Sequence, residues 1–126
     1  MARWRSVLGL LAGIILILSS AAHSLLGGEA VRSQLAAAHV PSDLALGLRV
    51  SWHLGGMATL TFGVIVISLF VRRMRGESVS ALPALIIAGG EIAFGTWALL
   101  TSNFDPFFLI FIVPGLLLAV ASARPF

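Results

Sequence analysis

The chain has 126 residues, of which 59% are hydrophobic and 10% are charged, whereas soluble domains average about 45–50% and about 25%. A domain of this size cannot bury so much apolar surface in water, which excludes a soluble enzyme, a nucleic-acid-binding module and a disordered tail. The net charge of +3 comes from eight arginines against five acidic residues, and the absence of cysteine excludes disulfides and thiolate sites. We therefore expect an integral membrane protein.

Four apolar segments are long enough to cross a bilayer core about 30 Å thick, which takes roughly 20 helical residues. They cover residues 5–27, 45–71, 82–101 and 105–123. Only Arg49 and His53 interrupt the second segment, and Glu91 is the one ionisable residue of the third. The predicted fold is an all-α integral membrane four-helix bundle that forms a single domain.

The connections between these spans carry helix signals of their own. Asp105 is expected to cap the fourth span, and Ser42 or Asp43 the second. Residues 29–39, in the first outer loop, have a composition and periodicity compatible with a helix. We expect this segment to be a short helix that lies on the outer surface of the membrane.

Arginine is distributed unevenly between the two ends of the predicted bundle. Six arginines lie at one end, namely Arg3, Arg5, Arg72, Arg73, Arg75 and Arg124. Only Arg32 and Arg49 lie at the other, so the positive-inside rule places both termini in the cytoplasm. The first span also imitates a signal peptide, but its apolar run continues to about Gly28, which is long for one. We expect it to remain as a span.

Each of the first three spans carries a stripe of small residues when the sequence is followed in steps of four and three. The stripes are Gly9, Gly13, Leu16, Ser20, His23 and Gly27; Arg49, His53, Gly56, Leu60, Gly63 and Ile67; and Ala84, Ala88, Glu91, Gly95, Ala98 and Ser102. Small residues allow membrane helices to approach closely. The ionisable residues of the spans share these stripes, so we expect them to point into the bundle.

The candidate site is a ladder of ionisable side chains that opens outward. His23 and Arg49 are expected roughly 5–6 Å inside the outer boundary, His53 roughly 10 Å and Glu91 roughly 15 Å, with Glu29 at the mouth. Such a ladder suits a proton, an ion or a small molecule, with Glu91 as acceptor and the histidines titrating near neutral pH. Glu91 is protonated if dry and unpaired, and ionised if Arg49 or His53 reaches it; the sequence leaves both states open. No catalytic residue is assigned.

Other functions remain open at this point. The ladder is equally compatible with interhelical hydrogen bonds that only hold the bundle together, in an accessory subunit of a membrane complex. His23 and His53 form an alternative site for haem or a divalent metal, although no cofactor is otherwise expected. No enzyme motif is present, so binding is favoured over catalysis, with His53 and Glu91 as the remaining acid–base pair. The expected partners are the lipid bilayer and either further copies of the chain or other membrane subunits, not nucleic acid.

Two short stretches resemble a pattern of small bacterial four-span membrane proteins without an assigned function. Residues 22–27 (AHSLLG) match an AHS-x-LG stretch that closes the first helix, and residues 49–54 (RVSWHL) match an R-x-x-WHL stretch that opens the second. The chain departs from the pattern at Gly28, where the group has glutamate. The resemblance covers the first half of the chain, implies a bacterial inner membrane, and singles out His23 and His53.

Overall fold

The computed structural model describes residues 3–123, and these residues form helices and turns without a strand. The elements are α1 (Arg3–Ala22), a π-helical turn (His23–Gly27), α2 (Gly28–Ala37), α3 (Ser42–Met74), α4 (Leu82–Thr101), a 3-10 turn (Pro106–Phe108) and α5 (Leu109–Ser122). Three helical segments are long and apolar enough to cross a membrane, namely Arg3–Ala37, Ser42–Met74 and Leu82–Thr101. The apolar segment Pro106–Ser122 is shorter. The chain is therefore all-helical, with a composition that fits a membrane bundle.

The first span and the expected surface helix form one continuous helical segment. The backbone stays right-handed helical through Gly27 (φ −66°, ψ −39°) and Gly28 (φ −61°, ψ −40°). The π turn absorbs one extra residue, and the Gly28 N–H donates to the His23 carbonyl. The prediction of a short helix over residues 29–39 is therefore confirmed by α2, but the expectation that it is separate from the first span is wrong, because α2 continues α1 and packs against α3.

The helix ends match the capping predictions at one position of two. Asp105 Oδ1 accepts a hydrogen bond of 2.9 Å from the Phe107 N–H, which confirms the cap before the last helical segment. Helix α3 begins at Ser42 without a side-chain cap, so the prediction of a cap at Ser42 or Asp43 is wrong. The Ser42 hydroxyl lies 3.4 Å from an Asp43 carboxylate oxygen instead.

Helix α1 packs along both α3 and α5, and α5 also packs along α4. All four helices contribute to the core, with Ala12, Leu16, Val66, Phe70, Ala84, Ile87, Ala88, Leu118 and Ala121. Large apolar side chains also cover the outside of every long helix, including Leu18, Leu54, Ile86 and Val120. An apolar exterior of this kind is what a lipid environment requires of a helical bundle.

Most residues of the small-residue stripes lie where the helices meet, as the sequence predicts. The expectation that the ionisable residues of the stripes point into the bundle is wrong for Arg49 and His53, which are exposed. The residues of the stripes that the structure buries are Gly9, Gly13, Leu16, Ser20, Gly56, Gly63, Ala84, Ala88, Glu91, Gly95 and Ala98. A Cβ atom on Gly63 would lie 3.0 Å from the Gly13 carbonyl oxygen, and one on Gly95 would lie 3.1 Å from the Ile112 nitrogen. The helices therefore approach to backbone contact, as small residues permit in membrane bundles.

The helices differ in length, and this leaves one end of the fold two helices wide. Segment Arg3–Ala37 has 35 residues and α3 has 33, against 20 in α4. At about 1.5 Å per residue, the long pair measures roughly 50 Å and α4 roughly 30 Å. Since Arg73 near the end of α3 hydrogen-bonds the Ala121 carbonyl, the excess length lies at the opposite end. There, α2 and the beginning of α3 extend past α4 and α5.

Candidate functional site

His23 and Trp52 connect the π turn to α3. Their rings stack with centroids 4.1 Å apart and an angle of 6° between the planes. The His23 Nε2–H donates to the Trp52 carbonyl at 2.9 Å, and the Trp52 Nε1–H donates to the His23 carbonyl at 2.8 Å. Because a carbonyl only accepts, the ring proton of His23 is on Nε2. The neutral ring then has its lone pair on Nδ1.

Glycines make room for these two rings between the helices. A Cβ atom on Gly27 would lie 2.7 Å from Trp52 Cζ2, and one on Gly55 would lie 3.4 Å from His23 Nε2. A Cβ atom on Gly56 would collide with the Ser24 hydroxyl. A glycine therefore lies opposite each of the side chains of Trp52, His23 and Ser24, and the two rings pack directly against backbone.

His53 lies on the same pair of helices but is exposed. A Cβ atom on Gly28 would lie 3.1 Å from His53 Cε1, so this imidazole covers the beginning of α2. One turn further along α3, Ser20 Oγ donates a hydrogen bond of 2.7 Å to the Gly56 carbonyl. Polar contacts between the two long helices therefore continue over several turns.

Glu29 lies just beyond the π turn, in an exposed ion pair. Its two carboxylate oxygens accept hydrogen bonds from Arg32 Nε at 3.0 Å and from Arg32 Nη2 at 2.6 Å. Arg49, on the facing helix, is exposed and close enough for its charge to act on the Glu29 carboxylate. The structure thus brings Glu29 and Arg49 to the same end of the long helix pair as His23 and His53.

Glu91 lies in a different place. It is 6% exposed, on the face of α4 that packs against α5. A Cβ atom on Gly115 of α5 would lie 3.1 Å from Glu91 Cβ. Glu91 Oε2 is buried and has no hydrogen-bond partner within the part of the chain that the structure describes. Neither Arg49 nor His53 forms an ion pair with it among residues 3–123.

The predicted ladder is therefore divided between two helix pairs. His23, Arg49, His53 and Glu29 lie along the contact of the first long helix with α3, whereas Glu91 lies between α4 and α5. Helices α3 and α4 touch over a short stretch only. This arrangement could not be read from stripes alone, because a stripe identifies a buried face but not the neighbouring helix.

Trp52, whose indole N–H donates a hydrogen bond to the His23 carbonyl, is not among the site residues that the sequence predicts. The signal available in the sequence was Gly27, whose missing side chain on the first stripe leaves a space for a large ring. Nothing in the spacing of His23 and Trp52 indicated that their helices would align at this level. The alignment depends on the antiparallel packing of α1 and α3.

The alternative of a metal or haem site can be compared with the donors that are present. Among residues 3–123, no three His, Asp or Glu side chains lie close enough together to hold a metal ion. A haem held by two histidines needs a free ring nitrogen from each. In His23 the Nε2 atom donates to the Trp52 carbonyl, so Nδ1 is the ring nitrogen that this arrangement leaves for a metal.

Comparison of the chain with family models, with curated proteins and with solved structures finds no match. The chemistry of its own buried and exposed polar groups is therefore the basis for inferring its function. Of these groups, Glu91 is the carboxyl that is buried, and Glu29 is exposed in an ion pair.

Proposed function

We propose that this chain is a small multi-span membrane protein in which Glu91 binds a proton or a small cation within the bundle. The observation that carries the proposal is a carboxyl that is 6% exposed and has an unpartnered Oε2 atom. Buried polar atoms in proteins nearly always have a hydrogen-bond partner. A bound proton would remove the charge of the buried carboxylate and a bound cation would balance it, whereas no side chain of residues 3–123 forms an ion pair with it.

The position of Glu91 along α4 supports a role beyond structure. Ionisable residues inside membrane helices are costly, with about 2.5–3.5 kcal/mol for a charge at the helix centre, and are usually functional. Glu91 is the tenth residue of the 20-residue helix Leu82–Thr101, so it lies near the middle of the span. A carboxyl retained at this depth without a hydrogen-bonding partner contributes little to holding helices together.

The packing around Glu91 keeps water away from it. A side chain at Gly115 would meet Ile92 Cγ1 at 2.8 Å, the Ala88 carbonyl at 3.1 Å and Glu91 Cβ at 3.1 Å. Helices α4 and α5 are therefore in close contact on this side of the carboxyl. In a dry site of this kind a bound proton or a coordinated cation replaces the solvation that the carboxylate has lost.

The bilayer arrangement is part of the proposal. The three long helices would span the membrane, and Pro106–Ser122, with 17 residues, is at the lower limit for a fourth span. By the positive-inside rule, the excess of arginine at one end supports a cytoplasmic location for both termini. The resemblance of residues 22–27 and 49–54 to small bacterial membrane proteins supports a bacterial inner membrane. One such bundle is small for a transporter, so the working unit is a homo-oligomer or a complex with other membrane subunits.

Labelling with a hydrophobic carbodiimide tests the Glu91 site, because the reagent reacts with protonated carboxyls inside membranes. We expect one adduct on Glu91 in the purified chain in lipid nanodiscs, detected by peptide mass spectrometry. Labelling should fall as pH rises and should be slowed by a bound cation such as Na⁺. Glu91→Gln should abolish it, and the exposed Glu77→Gln serves as the matched control. Absence of the adduct, or labelling that does not change with pH, would overturn the proposal.

Proton movement is the second measurement. The chain is reconstituted into vesicles that contain a pH-sensitive dye, and an electrical potential is applied across the membrane. Dye quenching that depends on Glu91 and survives Glu77→Gln indicates conduction. Carbodiimide labelling without dye quenching indicates a binding site that does not conduct.

A role as an accessory subunit is a second candidate, and the long helix pair favours it. Where α2 and the beginning of α3 extend past α4, the chain exposes Leu44, Leu46, Leu48 and Val50. An apolar surface outside the four-helix core is suited to a partner membrane subunit. Purification from native membranes in a mild detergent tests this: a stoichiometric membrane partner supports it, and a chain that always runs alone contradicts it.

A further inference from the structure

We infer that the arginine-rich end of the bundle holds a second site, which binds a phosphate group through Arg5 of α1, Arg73 of α3 and Ser122 of α5. The ligand is a phosphate carried by an anionic lipid headgroup or free in solution. The site does not depend on Glu91, which lies about halfway along α4.

Arg73 is a guanidinium held in place by the protein. It is 6% exposed, although arginine is seldom buried to this degree. Its Nη1 donates a hydrogen bond of 3.1 Å to the Ala121 carbonyl, and its Cζ atom lies 5.8 Å from the centre of the Phe70 ring. These contacts orient a positive charge at the point where α1, α3 and α5 end together.

Arg5 brings a second guanidinium to the same place. Its Nη1 atom is buried and has no hydrogen-bond partner among residues 3–123, and its Cζ atom lies 5.3 Å from the centre of the Trp4 ring. Arg5 is close enough to Arg73 for the two charges to repel each other. An anion bound to Arg5 would satisfy the buried N–H group and relieve the repulsion.

Ser122 supplies the neutral donor. Ser122 is 3% exposed, and its Oγ atom has no hydrogen-bond partner within the described part of the chain. It follows Ala121, whose carbonyl accepts from Arg73, so hydroxyl and guanidinium lie in neighbouring positions. Two guanidiniums and a hydroxyl form a donor set that matches the several acceptor oxygens of a phosphate.

Among residues 3–123, no acidic side chain competes with a phosphate for the arginines of this site. Within this range, the acidic side chain closest to the site along the chain is Glu77, which is exposed and bound to Arg72 at 2.6 Å. Basic pockets between membrane helices on the cytoplasmic side are a recurrent type of site for anionic lipid headgroups. The charge and the position at a helix end both fit such a ligand.

The test measures lipid binding to the full chain in a neutral detergent, where no charged bilayer surface adds a general attraction. Native mass spectrometry would follow binding of phosphatidylglycerol, with phosphatidylcholine as the neutral comparison. We expect one phosphatidylglycerol per chain in preference to phosphatidylcholine. Arg5→Gln should weaken this binding about tenfold, the loss expected for one charge-assisted hydrogen-bonding group. Arg75→Gln, which removes an exposed arginine at the same end, should change it less than about twofold.

Two further variants keep the test valid if Arg5→Gln does not fold. Arg5→Lys retains the charge without the forked donors and should give an intermediate loss, and Ser122→Ala should weaken binding while helix content stays unchanged. Competition by inorganic phosphate that depends on Arg5 identifies the free ion as a ligand of the same site. Equal losses for Arg5→Gln and Arg75→Gln, or no preference for phosphatidylglycerol, would overturn the inference.

Discussion

His23 and Trp52 exchange hydrogen bonds in both directions while their rings lie face to face at 4.1 Å. The His23 carbonyl accepts from two donors, the Gly28 N–H of the π turn and the Trp52 indole of the facing helix. The turn that continues α1 into α2 is therefore tied to the helix pairing. Isolated π turns are rare and often occur at functional sites, and here the turn orients the imidazole of His23.

Trp52→Phe tests how far this exchange stabilises the helix pair. The variant keeps a ring in the space beside Gly27 but loses the indole N–H, so we expect about 1 kcal/mol less free energy of unfolding. Unfolding in increasing mole fractions of sodium dodecyl sulfate, followed by circular dichroism, gives the measurement. Trp97→Phe is the matched control, because Trp97 is 61% exposed. Equal losses in both variants would show that the His23 contact is not the cause.

Gly63→Ala tests the close approach of α1 and α3. The added Cβ would lie 3.0 Å from the Gly13 carbonyl oxygen, a backbone atom that cannot rotate away, so we expect a loss of about 1–3 kcal/mol. Gly89→Ala in α4 has open space around the new Cβ and should be neutral or up to about 1 kcal/mol more stable. The same unfolding assay compares the two. Similar behaviour of both variants would contradict the packing of the α1–α3 pair.

Asp105→Ala tests the cap at the beginning of the last helical segment. Loss of the 2.9 Å bond from the Phe107 N–H should cost about 1 kcal/mol. Asp105→Asn retains an acceptor oxygen and should recover most of this stability. Ser42→Ala, at a helix start without a side-chain cap, should stay within about 0.5 kcal/mol of the parent chain. A full loss in the asparagine variant would assign the effect to charge instead of the hydrogen bond.

Glu29→Gln tests the exposed ion pair with Arg32. The two side chains are 63% and 58% exposed, and surface pairs of this type contribute about 0–1 kcal/mol. We expect a change below about 0.5 kcal/mol, with no further change at high salt, because the surrounding water already screens the pair. Unfolding at two salt concentrations checks this. A larger loss would mean that the charge of Arg49 across the helix pair also contributes to stability through Glu29.

The sequence determined the helices and the faces that they bury. Three kinds of local signal predict these features: long apolar runs, caps such as Asp105, and stripes of small residues such as Gly13 with Ser20. Each of them lies within one helix or at its end. The physical reason is that each of these signals depends on neighbours within a few residues along the chain. The buried positions of Ala84, Ala88 and Glu91 in α4 could be predicted for the same reason.

The tertiary structure decided which helix each buried face meets. His23 finds Trp52 because α1 and α3 align antiparallel over their whole length, and Glu91 lies against Gly115 because α4 packs along α5. Helix α2, which continues α1, likewise packs against α3. These partners lie far apart in the sequence, and only the simultaneous fit of all the helices selects them.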